Sequence, residues 1–173
     1  CTPATDLEPI VFPDVYPLYA IADIRGSSTQ RSWAIQADLL AQLELARDVL
    51  RAAHEARALP ILDQLTHRID GYAADIEVNP RTGHELTVLG FLRLEVEARF
   101  DHLQSFGPAV RERIEAYRRA VDPRMGAIYA KRRDFDESVT RITEAISQYI
   151  DVEEQAAQAM HAHYFEKQQT DGV

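Results

Sequence analysis

The side chains that could do chemistry are few, and their spacing decides what that chemistry could be. A metal-carboxylate site in a helical bundle needs Glu-x-x-His on two helices and single glutamates on two more, all facing inward. No Glu-x-x-His occurs in the 173 residues. The remaining candidates are Asp63 with His67, the neighbours His54-Glu55 and His84-Glu85, and His161 with His163. His161 and His163 lie two apart on a predicted helix and so point in different directions. Asp63 and His67, four apart, read as a carboxylate–imidazole pair rather than a ligand set. No metal ligands, no cofactor and no catalytic residues are therefore assigned. Cys1 sits at the chain's edge, and no Gly-x-Ser-x-Gly elbow, phosphate loop or dinucleotide fingerprint is present.

One run does suit a ligand. Asp23-Ile-Arg25-Gly26-Ser27-Ser28-Thr29 precedes the first predicted helix. A helix N-terminus presents unpaired N–H groups and partial positive charge, so Arg25, Ser27 and Ser28 form a candidate anion site. The same residues also read as plain turn chemistry, with Ser27 capping the helix and Asp23 pairing with Arg25. Lys131-Arg132-Arg133 is a second basic run. It reads as a solvated face or as partners for Asp134, Asp136 and Glu137, the alternative being a dock for an acidic partner. Trp33 reads as a core anchor beneath the N-terminal segment.

The elements that must position these residues are helical. Apolar residues make up 46% of the chain, enough for a core, while Gly (7) and Pro (8) are too sparse for a turn-rich β fold. Pro3, Pro9, Pro13 and Pro17 fix residues 1–26 as an extended arm, whose Ile10, Val11, Phe12, Val15, Tyr16, Leu18 and Tyr19 call for burial against the helices. Ser27 and Gln30 have capping-box spacing and open a first helix to about Ala58, with a stripe of Ile35, Leu39, Leu43, Ala46, Leu50 and Ala53. Pro60 begins a second, through Leu62, Leu65, Ile69, Tyr72 or Ala73, and Ile76, ending at Asn79-Pro80. Thr82 and Glu85 cap a third, reaching Ser105 with Leu89, Leu92, Val96, Phe100 and Leu103 inward. A fourth follows Gly107-Pro108 to about Val121 through Val110, Ile114 and Tyr117. Glu95 with Arg99, and Glu115 with Arg119, are spaced as ion pairs. The last helix, capped by Asp134 and Glu137, is the longest. Phe135, Val139, Ile142, Ile146, Tyr149, Ala156, Met160 and Tyr164 recur at near-heptad spacing, interrupted by Glu153. The expectation is an all-α, up-and-down bundle of about five helices over residues 27–173, with part of the long C-terminal helix projecting beyond it.

The formal charge of −9 disfavours nucleic acid, which is bound by displacing counterions with Lys and Arg. The charge is uneven: residues 1–80 carry 6 arginines against 12 carboxylates, 81–133 carry 11 basic residues against 7 acids, and 134–173 carry 2 against 9. Basic and acidic helices lying side by side explain this, the alternative being a basic docking face. A single cysteine precludes an intrachain disulfide, no apolar run approaches a membrane span, and no signal peptide is visible, so a cytoplasmic, non-membrane chain is expected. The first residue is not Met, which suggests a piece of a longer protein.

Three stretches carry a resemblance: Tyr16-Pro-Leu-Tyr19 leading into Asp23-Ile-Arg-Gly-Ser-Ser28, Lys131-Arg-Arg-Asp-Phe-Asp-Glu-Ser138, and His163-Tyr-Phe-Glu-Lys167 with Thr170-Asp-Gly-Val173. Together they resemble a helical region of large bacterial proteins that contain GAF domains. The resemblance implies a signalling setting and a chain continuing past Val173. It transfers no binding residues, because a GAF pocket is built on a mixed sheet and nothing here reads as one. The first functional expectation is a non-enzymatic helical module that couples neighbouring domains of its chain or forms a homodimer through the last helix. An alternative is a sensor bundle with its pocket near Trp33 and Arg25, and a third is a metal-carboxylate enzyme.

Overall fold

The computed structural model describes residues 26–78 and 83–160. Of the described residues 89% are helical, so the all-α expectation holds. Five helices follow one another as the sequence predicts: α1 (Ser27–Ala56), α2 (Pro60–Val78), α3 (84–106), α4 (Pro108–Ala120) and α5 (Ala130–Met160). Contacts divide the chain after Val139. Gly26–Val139 is one unit, and Thr140–Met160 is the described part of the other.

Within the first unit, α1 supplies the spine of an up-and-down bundle, packing against α2 and α4. Its stripe is the predicted one from Leu39 onward: Leu39, Leu43, Ala46, Leu50 and Ala53 are all buried, joined by Val49, while Ile35 is only half-buried. Leu62, Leu65, Ile69 and Ile76 face them from α2, and Val110, Ile114 and Tyr117 from α4. The rings of Phe100 and Tyr117 meet edge to face, 5.1 Å apart at 84°, the arrangement that aromatic quadrupoles favour.

The caps differ from expectation. Gly26, at φ +81, stands at the N-cap of α1 with no side-chain cap bond; Gln30 N–H instead donates to Gly26 O at 3.0 Å. A positive φ there is open to glycine without penalty. The Ser27–Gln30 capping box is therefore absent, and Ser27 and Ser28 lie inside the first turn. Pro60 and Pro108 open α2 and α4 as predicted. Asn79-Pro80, Thr82 and the whole arm of residues 1–25 lie outside the described residues.

Helix α3 has a wide turn that the sequence reading missed. His84–Phe91 is α-helical, Leu92–Val96 is a π-helical turn, and Glu97–Arg99 tightens to a 3-10 turn before Phe100–Leu103. Val88, Leu92, Val96 and Phe100 are buried and step by four. On a regular helix at 3.6 residues per turn, each such step drifts by about 40°. The wider turn at Leu92–Val96 reduces that drift over its own step.

Asp122 orders the loop that leads to α5. Its Oδ1 accepts from the backbone N–H groups of Arg124 (2.9 Å) and Met125 (3.3 Å), and its own N–H donates to Ala127 O (2.9 Å). Those backbone donors hold its carboxyl below the usual carboxylate range. Ala127 and Ile128 are thereby folded into the core. Helix α5 then starts at Ala130, four residues ahead of the predicted Asp134.

Helix α5 is long, as expected, but its stripe is not covered like the others. Beyond Thr140, Ile142 (42%), Ile146 (39%), Tyr149 (66%), Ile150 (44%), Val152 (63%) and Met160 (73%) are exposed. Among the described residues no helix is long and apolar enough to cross a membrane.

These packing differences set a prediction for urea unfolding. Leu50→Ala removes a fully buried side chain and should cost about 2–5 kcal/mol. Leu94→Ala, at a position 74% exposed, should change stability by no more than about 0.5 kcal/mol.

Candidate functional site

The buried polar and charged side chains among the described residues, Asp38, Gln42 and Arg132, converge at one place, where α5 begins. Asp38 and Gln42 lie one turn apart on α1 and are both fully buried. Their one signal in the sequence is position: at steps of four they extend the buried row of Ala46, Val49 and Ala53 toward the start of α1. A buried carboxylate is costly unless donors surround it. Asp38 Oδ1 accepts from Lys131 N–H (2.8 Å), and Oδ2 accepts from Arg132 N–H (3.1 Å) and from Arg132 Nε (3.1 Å). The first N–H groups of any helix have no partner within the helix. Asp38 therefore caps α5 from another helix, adding an anion at the positive end of its dipole. This is the physical reason for the earlier start: Asp134 and Glu137 are not needed as caps.

Arg132 completes the arrangement. Its side chain is 8% exposed; Nη1 donates to Glu85, at the start of α3, and Nη2 donates to Ile128 O at 2.9 Å. The guanidinium carbon also lies 4.9 Å from the centre of the Tyr129 ring. One turn further along α1, Gln42 Oε1 accepts from Ile128 N–H (3.0 Å) and Nε2 donates to Tyr117 Oη (3.0 Å). Tyr117 Oη then donates to Glu97 Oε1 at 2.6 Å. Burial, and next the Glu97 carboxylate, push the Tyr117 phenol far above its ordinary pKa. Each member of this network is engaged on the atoms that chemistry would use. A phenol held protonated and a carboxylate filled by three donors make a lock, not a nucleophile or base.

The other sequence candidates are placed as follows. The basic run Lys131-Arg132-Arg133 is spent within the chain: Lys131 reaches Asp134 (3.5 Å), Arg132 is buried as described, and Arg133 approaches Asp122 (3.7 Å). Asp63 stands 3.1 Å from His54 of α1 rather than pairing with His67, which is exposed. His84 faces Asp75 of α2 at 3.1 Å. Glu95 pairs with Arg68 of α2, while Arg99 donates to the Glu95 backbone carbonyl, so the predicted Glu95–Arg99 pair is replaced by a tie between helices. Arg68 also stacks 4.4 Å over Phe91. Among the described residues no group of three or more His, Cys, Asp or Glu converges as a metal site.

Of the candidate anion site, Ser27 and Ser28 lie in the first turn of α1, and Arg25 falls outside the described residues. Cys1, His161 and His163 lie outside them as well. Trp33 is 56% exposed, not the core anchor expected, because α1 carries its buried stripe only from Asp38 onward. A groove of about 330 Å³ runs between α1 and α2, floored by Leu40, Ile69 and Ala73. Arg47 bridges Glu44 and Asp70 in its wall, and Glu77 lines it as well. Comparison with protein-family models, with curated proteins and with solved structures finds no match.

Removing one partner of a buried ion pair strands the other, so Asp38→Ala should destabilise the chain by about 3–5 kcal/mol in urea. Asp38→Leu combined with Arg132→Met should recover much of that loss, since no buried charge is left without a partner.

Tyr117 sets a second test. Its folded pKa is raised, so its contribution is whole below the unfolded value of about 10 and falls as pH rises past it. Tyr117→Phe should lessen the alkaline loss of stability in melts at pH 9 to 11. At neutral pH it should cost about 1–3 kcal/mol, because Gln42 and Glu97 lose a partner.

Proposed function

We propose that this chain is a non-enzymatic helical interaction module, which couples neighbouring domains of its protein or joins copies of itself through the later part of α5. The observation that carries this reading is the row of exposed apolar side chains at Ile142, Ile146, Tyr149, Ile150, Val152 and Met160, from 39% exposed at Ile146 to 73% at Met160. Single exposed apolar residues are ordinary, but a contiguous apolar face marks a surface that another surface covers. The spacing supports it. Residues 142, 146, 149, 153, 156 and 160 alternate steps of four and three, the repeat by which helices pack side by side over long distances. The reading places the bundle as a rigid base and the end of α5 as its means of contact. The resemblance to helical regions of GAF-containing bacterial proteins suits this role in a signalling protein, where helices transmit state between sensory and output domains.

The double variant Ile142→Asp with Ile146→Asp tests it. The expected result is an unchanged melting temperature for the bundle, unchanged helix content, and loss of association measured by sedimentation. A large fall in melting temperature, with association untouched, would mean that this face is buried within its own chain and would overturn the reading.

A further inference from the structure

Charge names the chemistry of the partner: we propose that residues 144–160 of α5 dock a basic amphipathic helix of another sequence. That helix lays an apolar stripe on the exposed row and brings arginines to the carboxylates within it and along one of its edges. The proposal rests on the reading of α5 as an interaction helix and deepens it.

Large apolar side chains and carboxylates share this stretch. Ile146, Tyr149, Ile150, Val152 and Met160 are exposed, and so is Glu153. Residues 144–160 hold four acids, Glu144, Asp151, Glu153 and Glu154, and no Lys, Arg or His. Successive helical residues are turned by about 100°, so Tyr149, Ile150, Glu153 and Met160 all fall within about 60° of Ile146. Glu153 therefore stands inside the apolar face. The other acids lie on one side of it, Glu154 at about 80° from Ile146, Asp151 at about 140° and Glu144 at about 160°. The opposite border, formed by Ala145, Val152 and Ala159, carries no charge.

This pattern selects among occupants. A purely apolar partner forces the Glu153 head out of the seam or strands it away from water. A guanidinium answers it in place, with two parallel N–H donors and a weakly hydrated flat face that tolerates apolar neighbours. Further arginines along one flank of the partner meet Glu154 and Asp151. An acidic partner, another copy of these residues included, brings only like charge. A helix that lies on an anionic membrane carries Lys and Arg beside its apolar face, the reverse of what stands here. Nucleic acid phosphates are repelled for the same reason. From Ile146 to Met160 the face runs for about 21 Å, so it matches about four turns of a partner helix.

The test uses the full chain and fluorescence anisotropy of labelled helical peptides of about three heptads. All carry leucines along the seam. They differ at one central seam position and along one flank, which hold Arg, Gln or Glu, with the varied flank placed on either side in turn. The best Arg peptide should bind about tenfold more tightly than its Gln counterpart and about 100-fold more tightly than its Glu counterpart. Salt raised to about 1 M should shrink that preference. Glu153→Gln should weaken the Arg peptide by about tenfold and leave the Gln peptide unchanged, which a general loss of structure would not do. Vesicles of phosphatidylcholine with phosphatidylglycerol should leave the chain in solution.

Equal affinity for Arg and Glu peptides would overturn the proposal, as would binding of none of them or sedimentation with the vesicles. A chain that is dimeric alone and becomes monomeric with Tyr149→Asp would overturn it too, in favour of a second copy. The Ile142→Asp, Ile146→Asp variant keeps the two claims apart. If its melting temperature is unchanged while the peptides show no preference for Arg, the interaction reading stands and only the basic partner falls. A large fall in melting temperature removes both.

Discussion

A carboxylate removed from water must be met by donors, and in this chain the donors come from the start of another helix. Asp38 is buried among the leucines of α1, where it can be tolerated only because the free N–H groups of Lys131 and Arg132 and the Arg132 side chain surround it. The dependence runs both ways. Helix α5 begins with unsatisfied N–H groups, and the loop before it offers no side chain that caps them. The loop itself is held by Asp122, whose turn delivers Ala127 and Ile128 into the core. Gln42, one turn along, then fixes the Ile128 N–H. The seating of the start of α5 on the first unit is thus set by two polar residues on α1.

The same network explains which parts of the fold the sequence discloses. Apolar stripes on α1, α2 and α4 are periodic, and Leu43, Ile69 and Ile114 stand where a 3.6-residue repeat puts them. Pro60 and Pro108 act locally, so their effect can be read locally. Asp38 and Gln42 cannot be read in that way. Their role depends on a segment some ninety residues further along the chain, and as isolated residues on a helix they look like ordinary polar interruptions. The cap of α5 was expected from Asp134 for the same reason: local spacing sees only local partners. The π turn at Leu92–Val96 sits between these cases. Its signal, four buried positions each four apart, is present in the sequence but is read as regular helix unless the drift is counted.

Arg132 shows how a charge run can mislead. In the sequence it is the middle of a basic triplet that could dock an acidic partner. In the fold it is the most buried of the three, sharing itself between Asp38 and Glu85. Successive residues on a helix point about 100° apart, so three adjacent cations need not share a face. Here the three serve four carboxylates: Asp134, Asp38 with Glu85, and Asp122. Other charges of the bundle are likewise used in ties between helices, Arg68–Glu95 and Arg118–Asp101.

In the bundle the buried Asp38, Gln42 and Arg132 are matched and the stripes of α1, α2 and α4 are covered; the later part of α5 keeps a row of large apolar side chains exposed. An apolar row without cover is a standing cost in water, of about 25 cal/mol for each Å² that a partner could hide. A single glutamate inside such a row makes the cost of covering it depend on orientation. Opposed to its own copy, Glu153 would add repulsion to desolvation; opposed to an isoleucine, it adds only the effort of bending its head outward. The difference is carried by one residue, while the attraction is spread over six. In any such pairing, affinity and direction would be separable, the first set by how many apolar side chains are buried and the second by where the one carboxylate falls.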